Sequence, residues 1–223
     1  MTKGLFFQAM SKFSLGVILI GLLIFLPAGT LAFWNGWLLM SILFIPMFAV
    51  GIVMMFKSPD LLRSRLKAKE TEGEQQLVIK LSGLMFLTGF IIAGLDYRFG
   101  WFPLPDWVVY AAAGAFLLAY LLYAEVLREN MYLSRVIEVQ ENQKVIDTGL
   151  YGIVRHPMYS ATLLLFLSIP LVLGSVVAFP IFLAYPVIIA KRIKNEEEVL
   201  ERELKGYIEY KSKVRYKMIP FIW

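Results

Sequence analysis

An uncharged run at residues 13–56 constrains the fold of this chain more than any other feature of the sequence. An apolar run of about 18 or more residues can cross the hydrocarbon core of a bilayer as a helix. This run has room for about two such helices, and Pro27 and Gly29 interrupt it near its middle. The sequence therefore predicts two membrane spans, at about residues 13–32 and 36–56.

Three further apolar stretches follow along the chain. The sequence predicts a third span at about residues 78–95 and a fourth at about 107–123,. The uncharged stretch at 157–190 is too long for one span and barely long enough for two,. A turn signal at 171–175, which contains Gly174, predicts that this stretch folds into a hairpin of two rather short helices.

These stretches predict an all-α fold, a polytopic membrane helical bundle with about five to six spans. We divide it into an N-terminal four-span membrane region, residues 1–130, and a C-terminal core, residues 131–223. A polar, partly helical loop at 57–80 is expected on the cytoplasmic side. The C-terminal core is expected to combine a polar connector, a corner, the hairpin and a charged amphipathic cytoplasmic helix that begins at Lys191,.

The distribution of basic residues predicts the orientation of the bundle. With six apolar segments and both termini cytoplasmic, all of the 22 Lys and Arg residues except Arg98 fall on the cytoplasmic side. Cytoplasmic loops of membrane proteins carry such an excess of Lys and Arg. We therefore predict a multi-pass protein with cytoplasmic termini. Lys80 and Asp96, near the ends of the third span, are expected to extend their side chains to the interface.

The composition excludes several kinds of site. The chain contains no cysteine and only one histidine, His156. Disulfides, thiolate nucleophiles and metal sites built on Cys or clustered His are therefore excluded, and we predict no metal site. The net charge of +5 is typical of basic loops near anionic headgroups. No nucleic-acid-binding module is visible, so no nucleic acid partner is expected.

Two polar clusters flank the predicted hairpin, at residues 147–161 and 191–214. A hairpin brings its two ends together, so the clusters should form a polar pocket above an apolar bundle, able to hold a cofactor and admit a lipid tail. The residue types alone also fit an ordinary membrane interface and a solvated helix face. The residues expected to face one another are Arg155, His156 and Tyr159 on one side, and Arg192, Glu196, Glu197 and Glu198 on the other.

In order and spacing, these clusters resemble the isoprenylcysteine carboxyl methyltransferase family and its relatives, the phospholipid N-methyltransferases. The family signature has Gly-x-Tyr and Arg-His-Pro-x-Tyr before a helical hairpin, then Arg, a pair of Glu, Tyr-x-x-Tyr and Ile-Pro. The resemblance covers about residues 135–223, with Ala161 where the family usually has Gly. The matching residues are Gly149 and Tyr151; Arg155, His156, Pro157 and Tyr159; Arg192, Glu196 and Glu197; Tyr207 and Tyr210; Ile219 and Pro220.

The resemblance implies an integral membrane methyltransferase that uses S-adenosylmethionine. It implies that Tyr151, His156 and Tyr159 contact the methionine and sulfonium part of the cofactor, and that Glu197 binds its amino end. The other cofactor-binding residues that it implies are Val154, Pro157 and Glu196. The catalytic residues that it implies are Arg155 and Arg192, placed near the acceptor, and Glu197.

The acceptor implied by the resemblance is a lipid, or a prenylated small molecule or peptide, that enters from the bilayer. A carboxylate acceptor is already ionised near neutral pH and needs no base, whereas an amine acceptor must lose a proton. The residues leave carboxylate, amine and thiol acceptors open. Phospholipid or amine N-methylation, an NADPH-dependent membrane reductase and a non-catalytic membrane protein stay as alternatives.

Overall fold

The computed structural model describes residues 3–66, 73–134 and 136–223. Within these ranges the regular structure is helical, apart from an isolated β-bridge between Pro103 and Ser175. The predicted all-α class is therefore confirmed. The α-helices are α1 (Lys3–Ala28), α2 (Trp34–Lys57), α3 (Pro59–Leu66), α4 (Gly73–Phe99), α5 (Asp106–Glu129), α6 (Pro157–Val172), α7 (Phe179–Phe182), α8 (Ala184–Glu203) and α9 (Tyr207–Lys213).

Four helices, α1, α2, α4 and α5, are long and apolar enough to cross a membrane, which confirms the four predicted N-terminal spans. Their bounds differ from the apolar runs. Helix α1 begins at Lys3 and ends at Ala28, earlier than predicted at both ends. Gly29 follows with φ of +70°, a conformation that terminates a helix and that glycine adopts without strain.

The loop predicted at 57–80 is partly helical, as expected, because α3 occupies Pro59–Leu66. Residues 67–72 lie outside the described residues. Helix α4 already begins at Gly73, so the end of the predicted loop belongs to the third spanning helix. An apolar run predicts only the part of a helix that lies in the bilayer, whereas backbone hydrogen bonds can continue the helix beyond it.

The predicted hairpin is confirmed. Its first arm is α6, and its turn contains Gly174 with φ of +74°. Its second arm consists of α7 and the beginning of α8. The expectation of a separate charged helix from Lys191 is wrong, because α8 begins at Ala184 inside the apolar stretch and continues to Glu203. Pro186 does not interrupt α8, since it lies in the first turn, where no intrahelical N–H bond is lost.

The tip of the hairpin lies at the end of the bundle opposite the polar clusters. The Asn35 side-chain amide, at the start of α2, donates to the Val172 carbonyl at 3.1 Å. The Ser175 hydroxyl donates to the carboxylate of Asp96, near the end of α4, at 2.5 Å. Asp96 also accepts a hydrogen bond from the Phe102 N–H at 3.1 Å and is 3% exposed. The expectation that Asp96 extends to the interface is therefore wrong, because the hairpin turn supplies its partner.

One hydrophobic core joins the two parts of the chain. At its centre, the Phe182 ring of α7 lies edge-on to Phe86 and Phe90 of α4, with ring centroids 5.8 and 6.3 Å apart. Helices α1 and α4 approach closely at Gly94, where a Cβ atom would lie 2.7 Å from the Ile24 carbonyl oxygen. This core fixes the hairpin within the bundle and so fixes the polar residues at its open end.

Candidate functional site

A tight corner precedes α6 and positions the first polar cluster. Residues Gly149–Gly152 form a 3-10 turn. Gly149 has φ of +53°, and a Cβ atom there would overlap the Glu129 carboxylate, which accepts the Leu150 N–H at 3.1 Å. A glycine is therefore required at this position. The corner places the Tyr151 side chain against the end of α5, where Asn130 donates to its hydroxyl at 2.9 Å.

The chain after α9 returns to this corner. The backbone N–H of Arg155 donates to the Tyr216 carbonyl at 2.9 Å, and the N–H of His156 donates to the Lys217 carbonyl at 2.8 Å. The Tyr210 hydroxyl donates to the Tyr151 carbonyl at 2.7 Å. These bonds hold the C-terminal segment, α9 and the corner together.

A buried ionic cluster, formed by Arg155, His156, Glu197 and Lys217, links the corner to α8. The Arg155 Nε donates to Glu197 Oε1 at 2.7 Å, and the Lys217 Nζ lies 3.2 Å from Glu197 Oε2. The His156 Nε2 lies 3.3 Å from Glu197 Oε1. Burial alone would raise the pKa of Glu197, but hydrogen bonds from His156 and Arg155 outweigh it and hold this pKa well below its ordinary value,. Glu197 is therefore a carboxylate at neutral pH.

A second group of contacts lies beside this cluster. The Tyr159 hydroxyl donates to Glu196 Oε2 at 2.5 Å and accepts a hydrogen bond from the Arg192 Nε at 2.9 Å. The His156 Nδ1 lies 3.8 Å from Glu196 Oε1. The single histidine thus lies between two neighbouring carboxylates, of which Glu197 is buried and Glu196 is partly exposed.

A cavity of about 820 Å³, counting its open mouth, lies above these residues. One wall is the corner and α8, and the opposite wall is the connector at 130–146. The predicted site residues that line the cavity are Tyr151, Arg155, His156, Tyr159, Arg192 and Glu196, and the signature residues Tyr207 and Tyr210 line it as well.

The other predicted residues lie close by without lining the cavity. Glu197 lies behind the wall in the buried ionic cluster. Val154 is buried and donates its N–H to the Leu150 carbonyl at 3.1 Å. Pro157 is the first residue of α6. The expected proximity of His156 and Glu197 is confirmed, whereas the roles of all these residues are predictions.

Sequence reasoning missed the connector wall. The connector has no helical or alternating pattern, and its backbone is shaped by side-chain bonds such as the one from the Gln140 amide to the Tyr132 carbonyl, at 2.6 Å. The one signal in the sequence was the density of polar residues between α5 and the corner. The polar residues of this wall that line the cavity are Asn130, Tyr132, Ser134, Glu138, Gln143 and Lys144.

Tyr207 is the most informative residue of the cavity. Its side chain lines the cavity and is 3% exposed. Its hydroxyl is the one buried side-chain polar atom, among the described residues, that has no hydrogen-bond partner. Burial, followed by the nearby carboxylates of Glu197 and Glu196, raises the pKa of Tyr207. The hydroxyl therefore keeps its proton, and because an unpaired buried hydroxyl is costly, it is available to pair with a water molecule or a ligand in the cavity.

Residues 107–205 match the family model described as phospholipid methyltransferase. The match begins in α5 and ends just after α8, so it covers the connector, the corner, the hairpin and α8. It begins and ends earlier than the region of resemblance at 135–223. Comparison with curated proteins gave no match. Over residues 107–205, somewhat less than half of its length, this chain is therefore similar to the phospholipid methyltransferase family.

Proposed function

We propose that this protein transfers a methyl group from S-adenosylmethionine to a membrane-embedded, lipid-like acceptor. The observation that carries the proposal is the cavity, which combines a buried, unpaired Tyr207 hydroxyl with a carboxylate, Glu196, on its wall. The family match supports methyl transfer, and the apolar bundle beneath the cavity supports a lipid acceptor.

The residues of the cavity fit this cofactor. S-adenosylmethionine carries an ammonium and a sulfonium, both of which favour a site with carboxylates. Glu196 would bind the amino group, since Glu197 is already enclosed by Arg155 and Lys217. Tyr207 would donate its hydroxyl to a polar atom of the cofactor. His156 and Tyr159, whose rings stack with centroids 5.8 Å apart, would form the wall beside the methionine part.

When bound, the cofactor would supply an electrophilic methyl group, to whose carbon the lone pair of the acceptor would bond while the electrons of the S–CH₃ bond return to sulfur. The protein must align the acceptor and exclude water. The connector forms part of the cavity wall. Arg192, on the wall beside Tyr159, is suited to hold an anionic acceptor group, because guanidinium binds carboxylate and phosphate in a defined geometry.

Two classes of acceptor differ in whether they must lose a proton before methyl transfer. A carboxylate acceptor requires no proton transfer, which agrees with the resemblance to isoprenylcysteine carboxyl methyltransferases. The family description favours a second candidate, N-methylation of a phospholipid amine. A protonated amine must lose a proton before attack, and Glu196 is the cavity-lining carboxylate placed beside Tyr159 and His156.

The experiment that tests the proposal uses Tyr207→Phe. Removing the hydroxyl leaves the fold intact, because this hydroxyl bonds to no described group. We expect S-adenosylmethionine affinity, measured by equilibrium dialysis in detergent, to fall by about tenfold, as for the loss of one hydrogen bond in a dry site. Thermal stability without cofactor should stay equal or rise.

Tyr210→Phe is the matched control. Its hydroxyl bonds to the Tyr151 carbonyl, so its loss should lower stability by about 1 kcal/mol with a smaller effect on affinity. The methyl transfer itself is measured with isotopically labelled cofactor and a panel of lipids and prenyl-cysteine analogues. Absence of cofactor binding to the unmodified protein would refute the proposal.

A further inference from the structure

A second concave surface lies at the same end of the bundle as the cavity. This groove, formed by α1, α2 and α3, encloses about 760 Å³ counting its open side. Two of its walls belong to α1 and α2, which are long and apolar enough to cross a membrane, so we expect the groove to open toward the bilayer. The apolar residues on which the argument depends are Phe13, Met47, Phe48, Ile52, Met55 and Leu62.

The charged side chains that line the groove are positively charged. Lys12 and Arg65 are the charged residues among the described residues that line it, and no described acidic residue does so. The Lys12 Nζ donates to the Leu66 carbonyl at the end of α3, which holds it at the mouth. An apolar groove whose lining includes two cations complements a hydrocarbon chain that ends in an anionic group,.

Arg65 connects the groove to the cavity. Its Nη1 donates to the Ser134 carbonyl at 3.2 Å and lies 3.7 Å from the Met158 sulfur. Its Nη2 donates to the Tyr123 hydroxyl, and its guanidinium lies 5.6 Å from the centre of that ring. Ser134 and Met158 both line the cavity. The guanidinium therefore lies at the boundary between the two concave surfaces.

We propose that the groove binds the hydrocarbon chain of the methyl acceptor, an anionic membrane lipid, and that Arg65 binds its anionic headgroup next to the cavity. This inference rests on the proposed function, because it assigns the acceptor site of that reaction. In this arrangement the chain stays in the bilayer while the polar end reaches the wall formed by the connector and α6.

The test uses photoactivatable lipid probes on the full-length protein in neutral lipid nanodiscs. The anionic probes are a diazirine-bearing palmitate and a diazirine-bearing lysophosphatidate, which separate a carboxylate from a phosphate headgroup. The neutral probe is the corresponding hexadecanol. We expect the anionic probes to label peptides of α1 and α2 at the groove, and the hexadecanol to label them about tenfold less, as for the loss of one charge-assisted contact.

Gly51→Phe tests the groove. Gly51 lines it, and a Cβ atom there would meet open space, so the larger ring fills the groove without a backbone clash. Groove labelling should fall by about tenfold. Gly83→Phe is the matched control, since Gly83 also has open space at its Cβ position, lies in spanning helix α4 and is outside the groove lining.

Arg65→Gln tests the headgroup contact and should remove the preference for anionic probes over hexadecanol. Its control is Arg63→Gln on the same helix, where Arg63 pairs with the exposed Asp60.

Two outcomes would overturn the inference, because each would mean that the probes bind only as annular lipid. One is groove labelling in Gly51→Phe equal to that in the unmodified protein, and the other is labelling spread evenly over the lipid-facing surface. S-adenosylmethionine binding to the unmodified protein is measured in parallel by equilibrium dialysis. Absence of this binding refutes the proposed function. If the cofactor binds but groove labelling in Gly51→Phe is unchanged, only the groove proposal is refuted.

Discussion

Two neighbouring glutamates have different environments. Glu196 and Glu197 follow one another in α8, and successive residues of an α-helix point about 100° apart. Glu197 therefore points into the buried ionic cluster, while Glu196 lines the cavity. The sequence identified the pair but not its rotation about the helix axis, which depends on how α8 packs against the corner. The resemblance implies both as cofactor-binding residues, with Glu197 at the amino end of the cofactor; we propose Glu196 for that end, because it lines the cavity and Glu197 does not.

Glu197→Gln is expected to destabilise the protein by about 3–5 kcal/mol, because it leaves Arg155 charged and buried without a counter-ion. Thermal unfolding in detergent measures the change. Glu198→Gln is the control, since Glu198 is exposed on the same helix and its loss should have little effect. Equal stability of the two variants would contradict the role of Glu197 in the buried ionic cluster.

The same residue predicts a pH dependence. The pKa of Glu197 is lower in the folded protein than its ordinary value of 4.5, so the folded state binds the proton less readily than the unfolded state. Its stabilising contribution is therefore present above about pH 4.5 and is lost as the pH falls through the folded pKa. The difference in unfolding temperature between the unmodified protein and Glu197→Gln should shrink below pH 4.5. A constant difference at lower pH would be inconsistent with this assignment.

At the scale of elements, small residues determine how the spanning helices approach one another. Gly94 of α4 lies against the backbone of α1, where an added Cβ atom would lie 2.7 Å from the Ile24 carbonyl oxygen and 2.9 Å from the Pro27 Cβ. Close backbone approach at small residues is typical of membrane helix pairs. The α1–α4 contact therefore depends on the absence of a side chain at this position.

Gly94→Val is expected to destabilise the bundle by about 1–3 kcal/mol, because the added methyl groups force α1 and α4 apart. Gly83→Val in the same helix is the control, since a Cβ atom at Gly83 meets open space. Unfolding of both variants in detergent gives the comparison. The packing argument fails if Gly94→Val unfolds no earlier than Gly83→Val.

The elements were predictable to different degrees. The spans and the hairpin followed from hydropathy, because burial of the backbone in lipid allows few alternatives to helices. The start of α8 was missed, because its first two turns are apolar and belong by composition to the hairpin. The connector wall was missed, because its position depends on hydrogen bonds between distant residues, such as Asn130 to the Tyr151 hydroxyl.

At the scale of the whole molecule, polar contacts lie at both ends of the bundle. Asp96 and Asn35 hold the hairpin tip at one end, and the cavity and the groove lie at the other. Among the described residues, Lys and Arg concentrate at the cavity end, and Arg98, near the end of α4, is an exception. The positive-inside rule therefore predicts that the cavity faces the cytoplasm.

The orientation can be measured directly, because the chain contains no cysteine. Phe102→Cys places a thiol at the hairpin-tip end, where Phe102 is 63% exposed. Ser212→Cys places one in α9 at the cavity end, where Ser212 is exposed. In sealed right-side-out vesicles, a membrane-impermeant maleimide should label the first variant and label the second only after permeabilisation. The reverse pattern would invert the predicted topology.

The pairing of the corner with the C-terminal segment has a consequence for biosynthesis. The Arg155 side chain binds the carbonyls of Val214 and Arg215, which leave the ribosome about sixty residues after it. During translation the bundle and the hairpin can insert while Arg155 and Glu197 still lack the tail that completes their surroundings. The cavity end of the bundle therefore matures after the spanning helices, and a premature stop codon before Val214 would yield an inserted bundle without a finished cavity.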